Sequence, residues 1–135
     1  MKLPSSDVEF HEDIRLLIYR PGGVLNEASV NHVLSVLANL ESELMEPFNR
    51  FTDTLEADAV DLNFRYVIHV ALYRRLSYSG RPPVKSAILA TDATAIHYAQ
   101  LHAVMTRGSS INVRVFQDRQ EAADWLEVPV ERLAS

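Results

Sequence analysis

The sequence predicts a single α/β domain, with a mostly parallel, mixed sheet of about five strands and about four helices. Short apolar runs alternate along the chain with segments of helical periodicity, and this order requires crossover connections between parallel strands. The length of 135 residues lies near the mode for one domain, and 47% of the residues are apolar. We therefore expect residues 1–135 to form one domain around one sheet.

The first half of the chain supplies three strands and a long helix. Residues 8–10 and 14–19 are apolar runs joined by a short polar connection, which favours an antiparallel pair at a sheet edge. Asn26 has the side chain of a helix N-cap. The apolar residues after it recur at helical spacing: Val30, Val33, Leu34, Leu37, Leu40 and Leu44. The third strand is predicted at 49–55.

The second half continues the alternation of helices and strands. Asp61 is expected to cap the second helix. The predicted buried face of that helix is Phe64, Val67, Ile68, Ala71, Leu72 and Leu76. Residues 84–90 and 111–116 are predicted strands, and the second of them alternates cleanly between apolar and polar residues. Asp92 and Asp118 are expected to cap the third and fourth helices.

The composition excludes several classes of function. The net charge is −5 and the 13 Lys and Arg residues are scattered, so no basic surface for nucleic acid is expected. The chain has no cysteine, which excludes disulfides and thiolate metal sites. No apolar run is long enough to span a membrane, and the first residues lack a signal peptide's apolar region. We expect a cytoplasmic protein.

Motifs for catalysis and cofactor binding are missing from the sequence. Gly22 and Gly23 are the only adjacent glycines, and neither a dinucleotide motif nor a P-loop motif is present. His97 and His102 are five positions apart, so on one helix they point in different directions and do not form a chelating pair. No GxSxG nucleophile motif occurs. The sequence predicts no catalytic residue, no metal and no cofactor.

Three segments of the chain resemble the SpoIIAA-like branch of the STAS superfamily, the family of the anti-sigma-factor antagonist. They are the opening EDIRLLIYRPGGVLNEASV, the central AILATDATAIHYAQ and the closing INVRVFQDRQEAADWL. The resemblance covers nearly the whole chain and is most specific in the last strand and helix. It implies a small mixed sheet flanked by helices. In relatives it implies protein–protein regulation, and some distant relatives of similar fold carry lipids.

The loop before the second helix departs from the pattern of that family. In its antagonists this loop carries Asp-Ser-[Ser/Thr]-Gly, whose serine is phosphorylated to release the partner. Residues 52–58 here read TDTLEAD, so Thr52 and Thr54 are the candidates for such a switch. A phosphate there would meet neighbouring carboxylates before any arginine. We therefore expect the acidic residues to stabilise the positive N-terminal end of the following helix instead.

Two helices carry a second stripe of aromatic and apolar residues beside their expected buried face. The candidates are Tyr66, His69 and Tyr73 on the second helix, and Tyr98, Leu101, His102 and Met105 on the third. Three interpretations stay open at this point. The stripes belong to the core, contact a protein partner or a second copy in a homodimer, or line a pocket for a small apolar ligand.

The sequence favours a non-catalytic regulatory or protein-interaction module with an unidentified protein partner. The alternative is a carrier or sensor of a small apolar, lipid-like ligand, with Tyr66, Tyr98 or His102 at the polar end of its pocket. A third hypothesis is an enzyme of unknown class that uses His102 or the acidic loop.

Overall fold

The computed structural model describes residues 7–134, which form seven strands and four α-helices. The strands are Val8–His11 (β1), Leu16–Tyr19 (β2), Gly23–Asn26 (β3), Asn49–Asp53 (β4), Ala57–Asp61 (β5), Val84–Leu89 (β6) and Ile111–Phe116 (β7). The helices are Glu27–Glu43 (α1), Phe64–Ser77 (α2), Ala93–Met105 (α3) and Arg119–Leu126 (α4). Short 3-10 turns lie at Glu12–Ile14 and Val130–Leu133. The predicted fold class is confirmed.

The main sheet has five strands in the order β1-β2-β4-β6-β7. The pair β1 and β2 is antiparallel, as predicted, and the other neighbours are parallel. Side chains alternate between the two faces of each strand, so Leu16 and Ile18 face one layer while Leu17 and Tyr19 face the other. The first layer packs on α4 and Leu133, and the second packs on α1.

Three of the predicted helix caps are confirmed. Asn26 forms a reciprocal capping box with Ser29. The backbone N of Ser29 lies 3.0 Å from Asn26 Oδ1, and the backbone N of Asn26 lies 2.8 Å from Ser29 Oγ. Asp92 accepts a hydrogen bond from the backbone N–H of Ala95, and Asp118 accepts one from Gln120. These caps fix the residues at which α1, α3 and α4 begin.

The sequence prediction missed a second, two-stranded sheet that β3 and β5 form in parallel. Residues 57–61 carry two carboxylates, and two of their three apolar residues are alanines, which do not favour a strand. Because β5 runs to Asp61, the prediction that Asp61 caps α2 was wrong. Asn63 caps the helix instead, and it accepts a hydrogen bond from the N–H of Tyr66.

The buried face of α2 also differs from the predicted one. Leu72 and Leu76 are 45% and 77% exposed, and Phe64 is also exposed. The buried residues of this helix are Val67, Val70, Ala71 and Arg74. Both sets have helical spacing, so periodicity did not distinguish them. The observed set contains an arginine, which a search for apolar stripes passes over.

Candidate functional site

A cavity of about 150 Å³ lies between the main sheet and the helices α1, α2 and α3. Its walls are mostly aliphatic. Each of the three helices contributes four lining residues, and those of α1 are all aliphatic: Val30, Val33, Leu34 and Leu37. An apolar cavity of about 150 Å³ holds a molecule the size of benzene. The cavity therefore has room for one small ligand with a ring or a short chain.

The sheet and α3 together create this space. Arg50 of β4 and Ser86 of β6 are partners in the parallel register, and Thr52 and Ile88 are partners two residues further on. These four side chains line the cavity floor. On α3 the facing residues include Ala95 and Ala99, whose short side chains leave room above the sheet.

Arg74 and His102 form a hydrogen-bonded pair in the cavity wall. Arg74 Nη1 lies 2.9 Å from His102 Nε2, and each residue is 8% exposed. A guanidinium has donors only, so Nε2 must be the acceptor and the imidazole proton must lie on Nδ1. His102 is therefore neutral. Burial, and then the charge of Arg74, lower the pKa of His102 to about 3.

Arg50 is the second buried arginine that lines the cavity, at 3% exposure. Its Nη2 lies 3.2 Å from the Glu41 carboxylate and donates to the Tyr78 hydroxyl over 2.9 Å. The Glu41 carboxylate also lies 3.1 Å from Arg81 Nη1, so it forms ion pairs with two arginines. Burial, and then the nearby charge of Arg50, lower the pKa of Arg74 to about 10.

Tyr66 and Tyr98 line the cavity, but their hydroxyl groups bind the protein. The Tyr66 hydroxyl donates to Asn31 Oδ1 over 2.6 Å and so connects α2 to α1. Burial raises the pKa of Tyr66 and keeps this donor protonated. The Tyr98 hydroxyl donates to the Leu62 carbonyl over 3.0 Å and connects α3 to the segment before α2.

The remaining candidates on the two helices lie outside the cavity lining. His69 and Tyr73 are exposed on α2, and Leu101 and Met105 are half-buried on α3. Each predicted stripe is therefore divided: Tyr66, Tyr98 and His102 line the cavity, while the other four candidates turn away from it.

Thr52 and Thr54 both line the cavity. The Thr54 hydroxyl donates to the Leu89 carbonyl over 2.8 Å. Asp53, between them, faces the opposite side of the sheet and is 1% exposed. It binds Arg119 at 2.8 Å and lies 3.7 Å from Arg20. The expectation that these acidic residues stabilise the start of α2 was wrong, since they belong to β4, to β5 or to the turn between them.

The sequence analysis did not identify Arg50 and Arg74 as cavity residues. One signal was available for Arg74, which continues the spacing of Val67, Val70 and Ala71 as the next residue on the same face. For Arg50 the sequence offers no comparable signal, because its neighbours in the strand are the polar Asn49 and the apolar Phe51.

Residues 7–134 contain neither a metal-binding cluster nor a membrane-spanning helix. No group of three or more His, Cys, Asp or Glu side chains in this range is arranged to hold a metal ion. None of the helices in the described part of the chain has both the length and the hydrophobicity that crossing a membrane requires.

Comparison with solved structures identifies the fold. The chain is similar to an uncharacterized protein of the DUF3478 family with a SpoIIAA-like fold, from Shewanella loihica PV-4. The two are 18% identical with a TM-score of 0.55, and the match covers 88% of this chain and 89% of that one. The protein thus has a SpoIIAA-like fold. No family model matches the sequence, and no curated protein matches it.

Proposed function

We propose that the protein is a non-catalytic carrier or sensor that binds one small, largely apolar molecule in the cavity between the sheet and α1, α2 and α3. The observation that carries this proposal is the cavity itself, with its aliphatic walls and few polar groups. Ligand sites in proteins have this composition, in which apolar walls bind the body of the ligand and a few polar groups orient it.

The position of the cavity supports a sensing role. Its walls come from both sheets, because Leu25 of β3 and Val60 of β5 join the residues of β2, β4 and β6. A bound molecule would contact the two sheets and three helices at once. Binding would therefore stabilise these elements relative to one another, and a partner that recognises their arrangement would detect the ligand.

The chemistry of His102 supports binding rather than catalysis. A general base near neutral pH needs a free lone pair and a pKa close to 7. The Nε2 lone pair of His102 accepts the hydrogen bond from Arg74, and the pKa of the ring is about 3. The acidic segment offers no substitute at the cavity: Asp53 is held in its ion pair on the other face of the sheet, and the exposed Glu56 and Asp58 do not line the cavity.

The experiment that tests this proposal is a thermal unfolding series with two ring-sized probes, benzyl alcohol and benzoate. A ligand that binds only the folded state raises the melting temperature, by about 3–5 °C at roughly ten times its dissociation constant. We expect at least one probe to do so. Failure of both probes to change the melting temperature would overturn the proposal.

The second candidate function is protein interaction through the exposed apolar face of α2, defined here as Leu72, Tyr73 and Leu76. All three side chains are at least 45% exposed. Neighbouring exposed apolar side chains often mark an interface. This observation favours the protein-interaction module, with a second copy of the chain as the simplest partner.

A further inference from the structure

We propose that the ligand of the cavity is a small organic anion, with an apolar body and one carboxylate group that binds the guanidinium groups of Arg74 and Arg50. This inference rests on the proposed function and adds the chemical class of the ligand. Three properties of the cavity support it: the charges of its arginines, their unused hydrogen-bond donors and the size of the space.

The two buried arginines differ in the opposite charge that contacts them. Arg50 shares the carboxylate of Glu41 with Arg81, which is half exposed and in contact with water. None of the ion pairs in residues 7–134, which are defined by N–O distances up to 4.0 Å, includes Arg74. Arg74 is hydrogen-bonded to the neutral imidazole of His102 and interacts with the Tyr78 hydroxyl. The carboxylate that acts on it from a greater distance is Glu41, which Arg50 and Arg81 share. Buried charges in proteins are normally in direct contact with an opposite charge, and Arg74 has no carboxylate in that position.

Hydrogen-bond donors in the cavity wall are unused. Within the described part of the chain, the Nε of Arg74 and the Nε and Nη1 of Arg50 are buried and donate to no acceptor. The Nε atoms of three arginines outside the cavity share this state, so Nη1 of Arg50 is the donor that sets the cavity apart. Buried N–H groups without an acceptor are rare in folded proteins. A carboxylate can accept several hydrogen bonds in the plane of a guanidinium, so it suits these donors better than a neutral group does.

The cavity wall carries no carboxylate that would repel an anionic ligand or neutralise the arginines. The residues that line the cavity include two arginines and neither Asp nor Glu, although the chain as a whole carries a net charge of −5. The hydroxyls of Tyr66, Tyr98 and Thr54 already donate to the protein. A cationic ligand would find no opposite charge here, whereas an anion meets two.

The size of the cavity limits the apolar part of the ligand. The volume of about 150 Å³ corresponds to a benzene-sized molecule, and aliphatic side chains from three helices and from both sheets line it. An aromatic monocarboxylate, or an aliphatic one with a short chain, satisfies both the volume and the charge.

The test compares two probes that differ in charge but hardly in size, 4-fluorobenzoate and 4-fluorobenzyl alcohol, titrated with the protein and followed by ¹⁹F NMR. We expect 4-fluorobenzoate to bind at least about tenfold more tightly, as a hydrogen-bonded ion pair implies. In Arg74→Met this preference should disappear. The matched control is Arg75→Met, because Arg75 is exposed on the same helix and donates to the Arg107 carbonyl. The control should keep the wild-type preference.

The possible results separate this inference from the proposed function. Equal or tighter binding of 4-fluorobenzyl alcohol to the wild type would overturn the anion inference and leave the binding function intact. Binding of neither probe would overturn both. A preference for 4-fluorobenzoate that survives in Arg74→Met would contradict the role of Arg74. Arg74→Gln provides a second variant that retains a polar side chain without the charge, and it too should lose the preference.

Discussion

Arg74 and His102 connect α2 to α3 by a hydrogen bond of 2.9 Å in the wall of the cavity. The bond uses the lone pair of His102, so the folded protein holds this histidine neutral. Of these two residues, Arg74 contributes a cation to the cavity wall and His102 contributes no charge; Arg50 is the second cation of the lining.

The neutral state of His102 predicts a specific pH dependence of stability. The ring has its ordinary pKa of 6.5 in the unfolded chain and a pKa of about 3 in the folded protein. Between these values the unfolded state binds the proton and the folded state does not. The free energy of unfolding should therefore fall as the pH drops below 6.5, by up to roughly 1.4 kcal/mol per pH unit.

Urea unfolding of the wild type and of His102→Gln at pH 7 and pH 5 measures this effect. The glutamine oxygen can accept from Arg74 but does not titrate, so the variant should lose less stability than the wild type over this range. His69→Gln, on the exposed side of α2, is the control and should behave like the wild type. Equal losses in the wild type and in His102→Gln would show that His102 is not held neutral.

The buried ion pair of Asp53 and Arg119 predicts a large loss of stability when one partner is removed. The carboxylate is 1% exposed and lies 2.8 Å from the guanidinium. Arg119→Ala should lower the free energy of unfolding by about 2 kcal/mol, since it leaves the Asp53 carboxylate with the backbone N–H of Leu55 and the longer contact to Arg20. Arg65→Ala, which removes an exposed arginine of α2, should change it by less than about 0.5 kcal/mol. Similar values for the two variants in urea unfolding would contradict this account.

Filling the cavity should abolish binding without unfolding the protein. Ala99→Leu places a branched side chain in the space that the ligand is proposed to occupy, so benzyl alcohol and benzoate should no longer raise the melting temperature. The added apolar contacts should leave the variant about as stable as the wild type, within about 1.5 kcal/mol. Ala38→Leu makes the same change at an exposed position of α1 and should keep the ligand response. An unchanged response in Ala99→Leu would place the binding site elsewhere.

The exposed apolar face of α2 predicts self-association. Light scattering over a concentration series should show the mass rising toward that of a dimer, and Leu72→Asn with Leu76→Asn should return it to the monomer value. Met45→Asn is the control, because Met45 is apolar and highly exposed but lies after α1. A monomeric mass for the wild type at every concentration would exclude the homodimer and leave this face for a different protein.

The sequence predicted the architecture well where local signals agree with the tertiary structure. The alternation in residues 111–116 and the caps at Asn26, Asp92 and Asp118 are each determined by nearby residues, and the structure confirms them. The small sheet of β3 and β5 has no such signal, because its pairing depends on long-range contacts and each strand contains only two or three apolar residues.

The cavity could be predicted only in part, and the reason is physical. Tyr66, Tyr98 and His102 were identified as candidates for a polar end, and all three line it. Arg74 was not, because apolar periodicity treats arginine as a surface residue, whereas in this fold its guanidinium lies in the helix–sheet interior. Which of two stripes on α2 is buried depends on the packing of α3 and the sheet, and the pattern of one helix does not contain that information.

The measurement that tests the central claim most directly is a ¹H–¹⁵N correlation NMR titration of the whole protein with benzyl alcohol and with benzoate. If the cavity is a ligand site, the amides of Val70, Ala95 and Ala99 should shift progressively and saturate with at least one of the two probes. If these amides stay fixed with both probes while the protein remains folded, or if the shifts are confined to the exposed apolar face of α2, the cavity is not a binding site.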